Sequence, residues 1–280
     1  MPSFKVSACT AEHIGDRSEQ QDRVALLTSP RHPNTLLAVV SDGMGGRTGG
    51  RMAADQVIST VSHVFQDMGD EDAGGLHGLL RTMADEAHTV IRLAALSSEK
   101  EPHATFVALI VRREYAIWAH AGDSRLYHFR GGQPIHRTED QTYAAYLRAR
   151  GHTQAAMEAS RKYKHMLVSS LGLTRSPELV INDTRDLQPG DAFLLCSDGL
   201  WAHFSDTEFG ETLARLRPRE ATDDLVRRAR ERARGGGDNL SMAIVKLEPA
   251  ESRTQDRPAR PVATAMQAGV YSGAPRSPYR

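Results

Sequence analysis

Leu36–Gly46 has the sequence LLAVVSDGMGG, an apolar run that ends abruptly at Asp42 and Gly43. The segment Ala192–Gly199, AFLLCSDG, repeats this pattern and places Asp198 before its final glycine. A short apolar run that stops at a turn signal is typical of a buried β-strand. Each aspartate is therefore expected where a strand leaves the core, and the glycine after it allows the backbone to turn sharply.

A third carboxylate, Asp238, precedes another apolar segment, Leu240–Leu247. One Asp-Gly turn would carry little weight, because this dipeptide is common in turns. Three acids at the ends of apolar segments instead predict that the fold brings them together around metal. Hard divalent cations prefer carboxylate and carbonyl oxygens, so the expected site contains neither Cys nor His.

The composition excludes several classes of protein. The 280 residues include 35 basic and 35 acidic side chains, so no overall charge attracts nucleic acid or a membrane. The two cysteines, Cys9 and Cys196, form neither a disulfide framework nor a zinc-ligand spacing, which favours a reducing compartment. The start lacks a signal-peptide core, and no apolar run is long enough to span a bilayer. We expect a soluble cytoplasmic monomer without membrane insertion.

Hydrophobic periodicity predicts two consecutive helices, at 53–68 and 76–94, which we expect to form a hairpin over one face of a sheet. Three closely spaced strands follow, at Ala104–Val111, Glu114–Ala121 and Arg125–Phe129. Their connections are too short for crossover helices, so this part of the sheet is predicted to be antiparallel.

The second half of the chain is predicted to contain a flap, further strands and helices, and a tail. The flap, at about 138–165, is polar and mostly helical in pattern, and we expect it to be mobile. Residues 1–248 are expected to form one catalytic domain. Residues 249–280 are rich in Pro and Arg without periodicity, which predicts a disordered basic tail.

Five short segments, in this order, resemble the metal-dependent protein phosphatases of the phosphatase 2C type, and in particular their bacterial branch. They are Arg17…Asp22, DGMGG at 42–46, AGDSRLY at 121–127, LLCSDGLW at 194–201 and DN at 238–239. The resemblance covers nearly the whole chain except the tail. It implies an α+β fold, a four-layer α-β-β-α sandwich in which two antiparallel β-sheets are flanked by helical hairpins. The predicted order of elements agrees with that fold.

The resemblance also assigns metal ligands. Asp42 would bridge two Mn²⁺ or Mg²⁺ ions, and the carbonyl of Gly43 would be a further ligand of one of them. Asp198 and Asp238 would complete the shell of the other ion. Asp22 would hold metal-bound water.

Two further residues are assigned by the same resemblance. Asp123, in the GDSR segment, would help bind the third, weaker ion of bacterial members, and Arg17 would bind the substrate phosphate. Two neighbouring ions lower the pKa of a bridging water, and the resulting hydroxide can attack phosphorus in line. The planar fork of an arginine offsets charge on the phosphoryl oxygens. No nucleophilic side chain is then needed, and Cys196 lacks an activating loop.

Four positions depart from the family pattern. Gln21 replaces a glutamate, His103 stands at a usual Gly-Thr-Thr strand start, and Gln141 lies in a segment that is usually Asp-His-Ser. Met44 stands where some members have a histidine that acts as general acid, so leaving-group protonation would fall to metal-bound water. No departure removes a carboxylate ligand, and we expect activity.

The leading interpretation is a phosphatase that acts on phosphoserine and phosphothreonine in proteins and opposes a cognate Ser/Thr kinase. One alternative is a catalytically weak phosphatase-fold protein that binds phosphoproteins, motivated by the departures at Gln21, His103 and Gln141. Another is a hydrolase of nucleotide or nucleic-acid phosphodiesters, which the lack of a basic, aromatic-rich surface disfavours. His120 and His165 are expected to be structural, because the metal site already has enough oxygen ligands.

Overall fold

A computed structural model of the chain describes residues 4–96, 101–112, 115–163 and 165–249. The predicted disordered tail at 249–280 lies outside the described residues except for Pro249, and Glu114 of a predicted strand also lies outside them. The domain boundary at 248 and the disorder of the tail stay predictions. None of the described helices is both long and apolar enough to cross a membrane.

Two antiparallel β-sheets form the centre of the fold. The strands are β1 (Phe4–His13), β2 (Asp22–Thr28), β3 (Thr35–Met44), β4 (His103–Ala104), β5 (Phe106–Arg112), β6 (Tyr115–Ala121), β7 (Arg125–Arg130), β8 (Gln133–Arg137), β9 (Val180–Thr184), β10 (Asp191–Cys196) and β11 (Leu240–Pro249). The first sheet has the order β1-β11-β10-β7-β8, and the second has the order β2-β3-β5-β6-β9, with β4 paired to β3. Neighbouring strands in both sheets run antiparallel. The predicted antiparallel pairing of closely spaced strands is confirmed for β5 and β6, but it is wrong for β7, which crosses to the first sheet and pairs with β10 and β8.

The helices are α1 (Gly46–Gln66), α2 (Ala73–Ala95), α3 (Tyr143–Ala149), α4 (Thr153–Lys162), α5 (Asp198–Trp201), α6 (Asp206–Arg215) and α7 (Pro218–Ala233). Helices α1 and α2 cover the outer face of the second sheet, and α6 and α7 cover that of the first. The predicted hairpin is confirmed as α1 and α2, although α1 begins earlier than its apolar periodicity indicates. The sequence pattern does not predict β8, which is largely exposed and lacks an apolar face, or α5, which has only one turn.

The apolar core has three layers. Leu80 of α2 belongs to the layer between the α1–α2 hairpin and the second sheet. Val40 and Phe193 belong to the layer between the two sheets. Phe209 of α6 and Ile244 of β11 belong to the layer between the first sheet and its helices. These layers confirm the four-layer α-β-β-α sandwich.

The continuous apolar run in β3 follows from this layering. Leu37 and Val39 face the layer under the helices, whereas Ala38 and Val40 face the layer between the sheets. Successive side chains of a strand point to opposite faces, so a central strand covered on both sides needs apolar residues throughout. Strand β3 continues to Met44, so Asp42 lies among the last residues of the strand and not after its end.

The predicted flap contains α3 and α4, which confirms its helical pattern. The hydroxyl of Thr142 caps α3 by accepting a hydrogen bond of 3.2 Å from the Ala145 amide. The segment also exposes large apolar side chains, among them Tyr146, Met157 and Tyr163. Its mobility stays a prediction.

Candidate active site

Strand β3 brings Asp42 to one end of the second sheet. The strand register pairs Asp42 with Asp22 on β2, and the Asp42 amide donates a hydrogen bond of 2.8 Å to the hydroxyl of Thr105. Gly43 is required at this point, because a Cβ there would lie 2.0 Å from the carbonyl oxygen of Gly50. The first turns of α1 thus pack directly on the Asp-Gly backbone.

The first sheet contributes Asp198, the first residue of α5. The preceding Ser197 donates a hydrogen bond of 2.6 Å from its hydroxyl to Oδ2 of Asp22. A Cβ at Gly199 would lie 1.9 Å from the carbonyl oxygen of Asn239, so this position also requires glycine. The two Asp-Gly segments found in the sequence are therefore linked across the sheets through Asp22.

Asp238 lies in the loop before β11 and contacts Arg17. Nη2 of Arg17 lies 2.6 Å from Oδ2 of Asp238, and the two side chains are 61% and 36% exposed. Because a guanidinium has five N–H donors, this contact leaves others for an incoming phosphate. Arg17 thus lies at the mouth of the site, and its guanidinium faces Asp238.

These residues line one pocket of about 460 Å³, which we call the acidic pocket. Its lining includes the following residues predicted from the sequence: Arg17, Asp42, Gly43, Asp123, Asp198 and Asp238. Asp22 is different, because it is 1% exposed and lies behind Asp42 instead of lining the pocket. The structure therefore brings all of the predicted site residues except Asp22 together at the acidic pocket, and Asp22 lies behind Asp42.

Burial and mutual repulsion dominate the electrostatics of the acidic pocket. Burial, with a smaller contribution from the nearby charge of Asp198, raises the pKa of Asp22 to about 7, against the lowering effect of the Ser197 hydrogen bond. Burial and the neighbouring carboxylates also raise the pKa of Asp42 well above its usual range. A site with these properties favours bound cations, because a cation offsets the repulsion.

Asp123 is held at the end of β6. Gly122 before it has φ of 111°, a backbone conformation that favours glycine. The indole of Trp201 donates a hydrogen bond of 2.9 Å to the carbonyl of Asp123. Burial and the charge of Asp198 raise the pKa of the Asp123 carboxyl to about 7. The GDSR turn therefore holds a carboxylate against the acidic pocket, and the role of Asp123 at a third ion stays a prediction.

His165 lies at the acidic pocket, although a lone histidine in the sequence predicts a structural role. Its Nδ1 lies 3.2 Å from Oδ2 of Asp198, and its ring lines the acidic pocket. The position of His165 at the end of the predicted flap is the one feature of the local sequence that points to the site. Its contact with Asp198 joins distant parts of the chain, so no local pattern predicts it.

Two of the departures from the family pattern make specific contacts. Nε2 of Gln21 donates a hydrogen bond of 2.9 Å to the carbonyl of Gly46, so the amide ties β2 to the start of α1. Oε1 of Gln141 accepts a hydrogen bond of 2.8 Å from the amide of Gly122. Both glutamines therefore brace the edges of the pocket.

The other two departures lie side by side. His103 pairs with Met44 in the β3–β4 register, and Nδ1 of the histidine lies 2.8 Å from the carbonyl oxygen of Glu101. Met44 lines the acidic pocket, and its thioether has no proton to donate.

The donor set fits hard divalent cations. It consists of carboxylate oxygens and the Gly43 carbonyl, the ligands that Mg²⁺ and Mn²⁺ prefer. Among the described residues, no group of three or more His, Cys, Asp or Glu side chains is already arranged to hold an ion. Two of the carboxylates contact other side chains instead, since Asp238 pairs with Arg17 and Asp198 contacts His165.

Comparison with known proteins identifies similar chains. A family described as Protein phosphatase 2C matches residues 9–231. The serine/threonine protein phosphatase PstP of Mycobacterium tuberculosis is 30% identical over 218 residues, which are 75% of this chain and 40% of that protein. The chain thus spans less than half the length of this relative.

Solved structures share the fold. The S. agalactiae serine/threonine phosphatase has a TM-score of 0.79 at 23% identity, covering 87% of this chain and 100% of that one. The catalytic domain of PstP in complex with two manganese ions has a TM-score of 0.68 at 25% identity, covering 88% of this chain and 100% of that one.

Proposed function

The chain belongs to the protein phosphatase 2C family, and from this premise we propose that it hydrolyses phosphoserine and phosphothreonine esters on proteins. The observation that carries the proposal is the convergence of Asp42, Asp198, Asp238 and Arg17 on one pocket. These residues come from four separate parts of the chain, so a chance grouping is a poor explanation. Carboxylates at the base and an arginine at the mouth suit a phosphate monoester bound next to cations.

We propose that the cofactor is Mn²⁺ or Mg²⁺, with two ions at Asp42, Gly43, Asp198 and Asp238 and a third at Asp123. The related PstP catalytic domain is described with two manganese ions. Such ions, when bound, make water nucleophilic near neutral pH and offset negative charge on a phosphoryl group.

The side chains of the chain itself have distinct tasks in this proposal. Arg17 binds and orients the phosphate with its planar fork of donors. Asp22, fixed by Ser197, supports Asp42 from behind and keeps water oriented in the pocket. Asp238 and Asp198 would exchange their contacts with Arg17 and His165 for a cation. Arg17 would then have more donors for phosphate.

We also infer the wider setting of the reaction. Its substrates are phosphoproteins, and its opposing enzyme is a Ser/Thr kinase. The equal numbers of basic and acidic residues support a substrate other than nucleic acid. The cysteine usage supports a cytoplasmic location, and we propose that the protein acts as a monomer.

A comparison of substrates tests this function. Phosphate release is measured from a phosphothreonine peptide, a phosphoserine peptide and bis(p-nitrophenyl) phosphate, each with saturating Mn²⁺. We expect turnover of both peptides and little hydrolysis of the diester. Comparable diester hydrolysis would favour the phosphodiesterase alternative. Tight peptide binding without turnover would favour the binding-protein alternative.

A further inference from the structure

The segment that carries Arg17, residues 14–21, is held in place by hydrogen bonds to the buried side chain of Asn239. We call this segment the Arg17 loop. Nδ2 of Asn239 donates hydrogen bonds to the carbonyls of Ile14 at 2.8 Å and Glu19 at 2.9 Å, and Oδ1 accepts one of 2.8 Å from the amide of Gln21. Asn239 is 6% exposed, so these contacts satisfy a buried amide completely.

The Arg17 loop is also attached to α7, through an ion pair between its own Asp16 and Arg230. Arg230 of α7 donates two hydrogen bonds to the Asp16 carboxylate, at 2.9 Å and 2.6 Å. The amide of Gly237 donates another to Asp16 at 2.7 Å, and the amide of Asp16 donates to the Gly237 carbonyl at 2.9 Å. Asp16 thus joins the Arg17 loop, the Asp238 segment and α7.

Two glycines show how closely these segments approach. Gly15 has φ of 69°, and a Cβ there would lie 2.1 Å from the carbonyl oxygen of Asp238. A Cβ at Gly237 would lie 2.3 Å from Nη1 of Arg230. The backbone of the Arg17 loop at Gly15 therefore packs directly on the Asp238 carbonyl, and the Arg230 side chain packs on the backbone of Gly237.

We propose that Asp16 and Arg230 form a positioning pair for phosphate binding, which sets the place of Arg17 relative to Asp238. Neither residue lines the acidic pocket, so the pair acts through its sequence neighbour Arg17 and through Gly237, which precedes Asp238. A bidentate arginine–carboxylate pair fixes orientation as well as distance. The inference rests on the proposed phosphatase function and extends it to a helix outside the pocket.

The pair stays charged in the pH range of an assay. The Arg230 hydrogen bonds and the Gly237 amide lower the pKa of Asp16 to about 2. Loss of either partner would leave the other without its bidentate contact.

The test uses the full chain with Asp16→Asn, Arg230→Met, the double variant and Arg230→Lys. Arg227→Met is the matched control, because Arg227 lies on the same helix and its partners Asp224 and Glu231 lie on that helix as well. The measurements are kcat and KM for a phosphothreonine peptide, the inhibition constant of inorganic phosphate, and the melting temperature.

We expect each single variant to raise KM and the phosphate inhibition constant together, by about tenfold, with a smaller change in kcat, since a displaced Arg17 binds phosphate less well. The double variant should be no worse than either single variant, because both remove one interaction. Arg230→Lys should recover part of the loss, and Arg227→Met should match the wild type.

A lower melting temperature with unchanged KM and phosphate inhibition would overturn the inference and leave the pair a purely structural role. Additive losses in the double variant would also contradict it. Absence of turnover by the wild type would instead count against the proposed function, so the two failures are distinguishable.

Discussion

Arg17 and Asp238 are 221 positions apart in the chain, yet Nη2 of Arg17 lies 2.6 Å from Oδ2 of Asp238. The expected phosphate-binding residue thus contacts an expected metal ligand. Both side chains are substantially exposed, and such ion pairs contribute little to stability. We therefore expect the contact to affect the arrangement of side chains in the site more than the stability of the fold.

Arg17→Lys should weaken catalysis without unfolding the protein. Lysine keeps the charge but loses the planar fork that matches a phosphate, so we expect kcat/KM to fall by about 10- to 100-fold. Steady-state kinetics with a phosphothreonine peptide measure this effect. Arg31→Lys, whose arginine contacts the Asp67 carbonyl instead, is the control. Wild-type kinetics in Arg17→Lys would remove Arg17 from phosphate binding.

Asp42→Asn should abolish turnover and stabilise the protein in EDTA. The pKa of Asp42 is raised well above its usual range by burial and by neighbouring carboxylates, so its ionised form at neutral pH costs folding free energy. Asparagine removes that charge with little change of shape, and we expect the free energy of unfolding to rise. Urea denaturation in EDTA measures the change.

The same experiment with Mn²⁺ should reverse the order. Metal that binds the native state stabilises it, and the wild type should gain more than Asp42→Asn. A variant that is less stable than the wild type in EDTA would contradict the electrostatic account of Asp42.

Two glycine substitutions should have opposite effects on stability. Gly199→Ala places a Cβ 1.9 Å from the Asn239 carbonyl oxygen, and overpacking of this kind costs about 1–3 kcal/mol. Gly78→Ala, in α2, meets no atom within 4 Å and should stabilise the helix by about 0.5–1 kcal/mol. Thermal melts of both variants provide the comparison. Equal stabilities would mean that the Gly199–Asn239 approach is not as close as described.

His136→Phe should make stability less sensitive to acid. Burial lowers the pKa of His136, whose ring lies 5.1 Å from that of Trp118. Below about pH 6.5 the unfolded chain therefore gains a proton that the native state resists, and the wild type loses free energy of unfolding relative to the variant.

The comparison of variant with wild type is needed because other groups act in the opposite direction. Burial and neighbouring charge raise the pKa values of Asp22 and Asp123 to about 7, so their protonation adds stability as pH falls through 7. Urea midpoints at several pH values in EDTA, followed by tryptophan fluorescence, measure the difference between the two proteins. A pH-independent difference would contradict the assignment to His136.

Local sequence was enough to predict much of the fold and the acidic residues. Asp42 and Asp198 each follow an apolar run of sequence. The run before Asp42 is continuous because β3 packs against an apolar layer on both of its faces. The α1–α2 hairpin was predicted because its apolar residues recur with a helical period over several turns.

Tertiary contacts account for what the sequence could not predict. His165 reaches Asp198 from the flap, and Arg230 reaches Asp16 across 214 positions. Neither residue belongs to a local pattern, because each acts through a partner that only folding brings close. Strand β8 was missed because most of its short sequence is exposed and lacks an apolar face.

The most direct test of the account is hydrolysis of a phosphothreonine peptide in EDTA, Mg²⁺ and Mn²⁺ by the wild type and Asp238→Asn. Asp55→Asn is the control, because this carboxylate pairs with Arg23 and does not line the acidic pocket. We predict metal-dependent turnover by the wild type and by Asp55→Asn, no turnover in EDTA, and loss of turnover in Asp238→Asn. Turnover that persists in Asp238→Asn, or a folded wild type that is inactive with either metal, would contradict a metal-dependent phosphatase centred on these carboxylates.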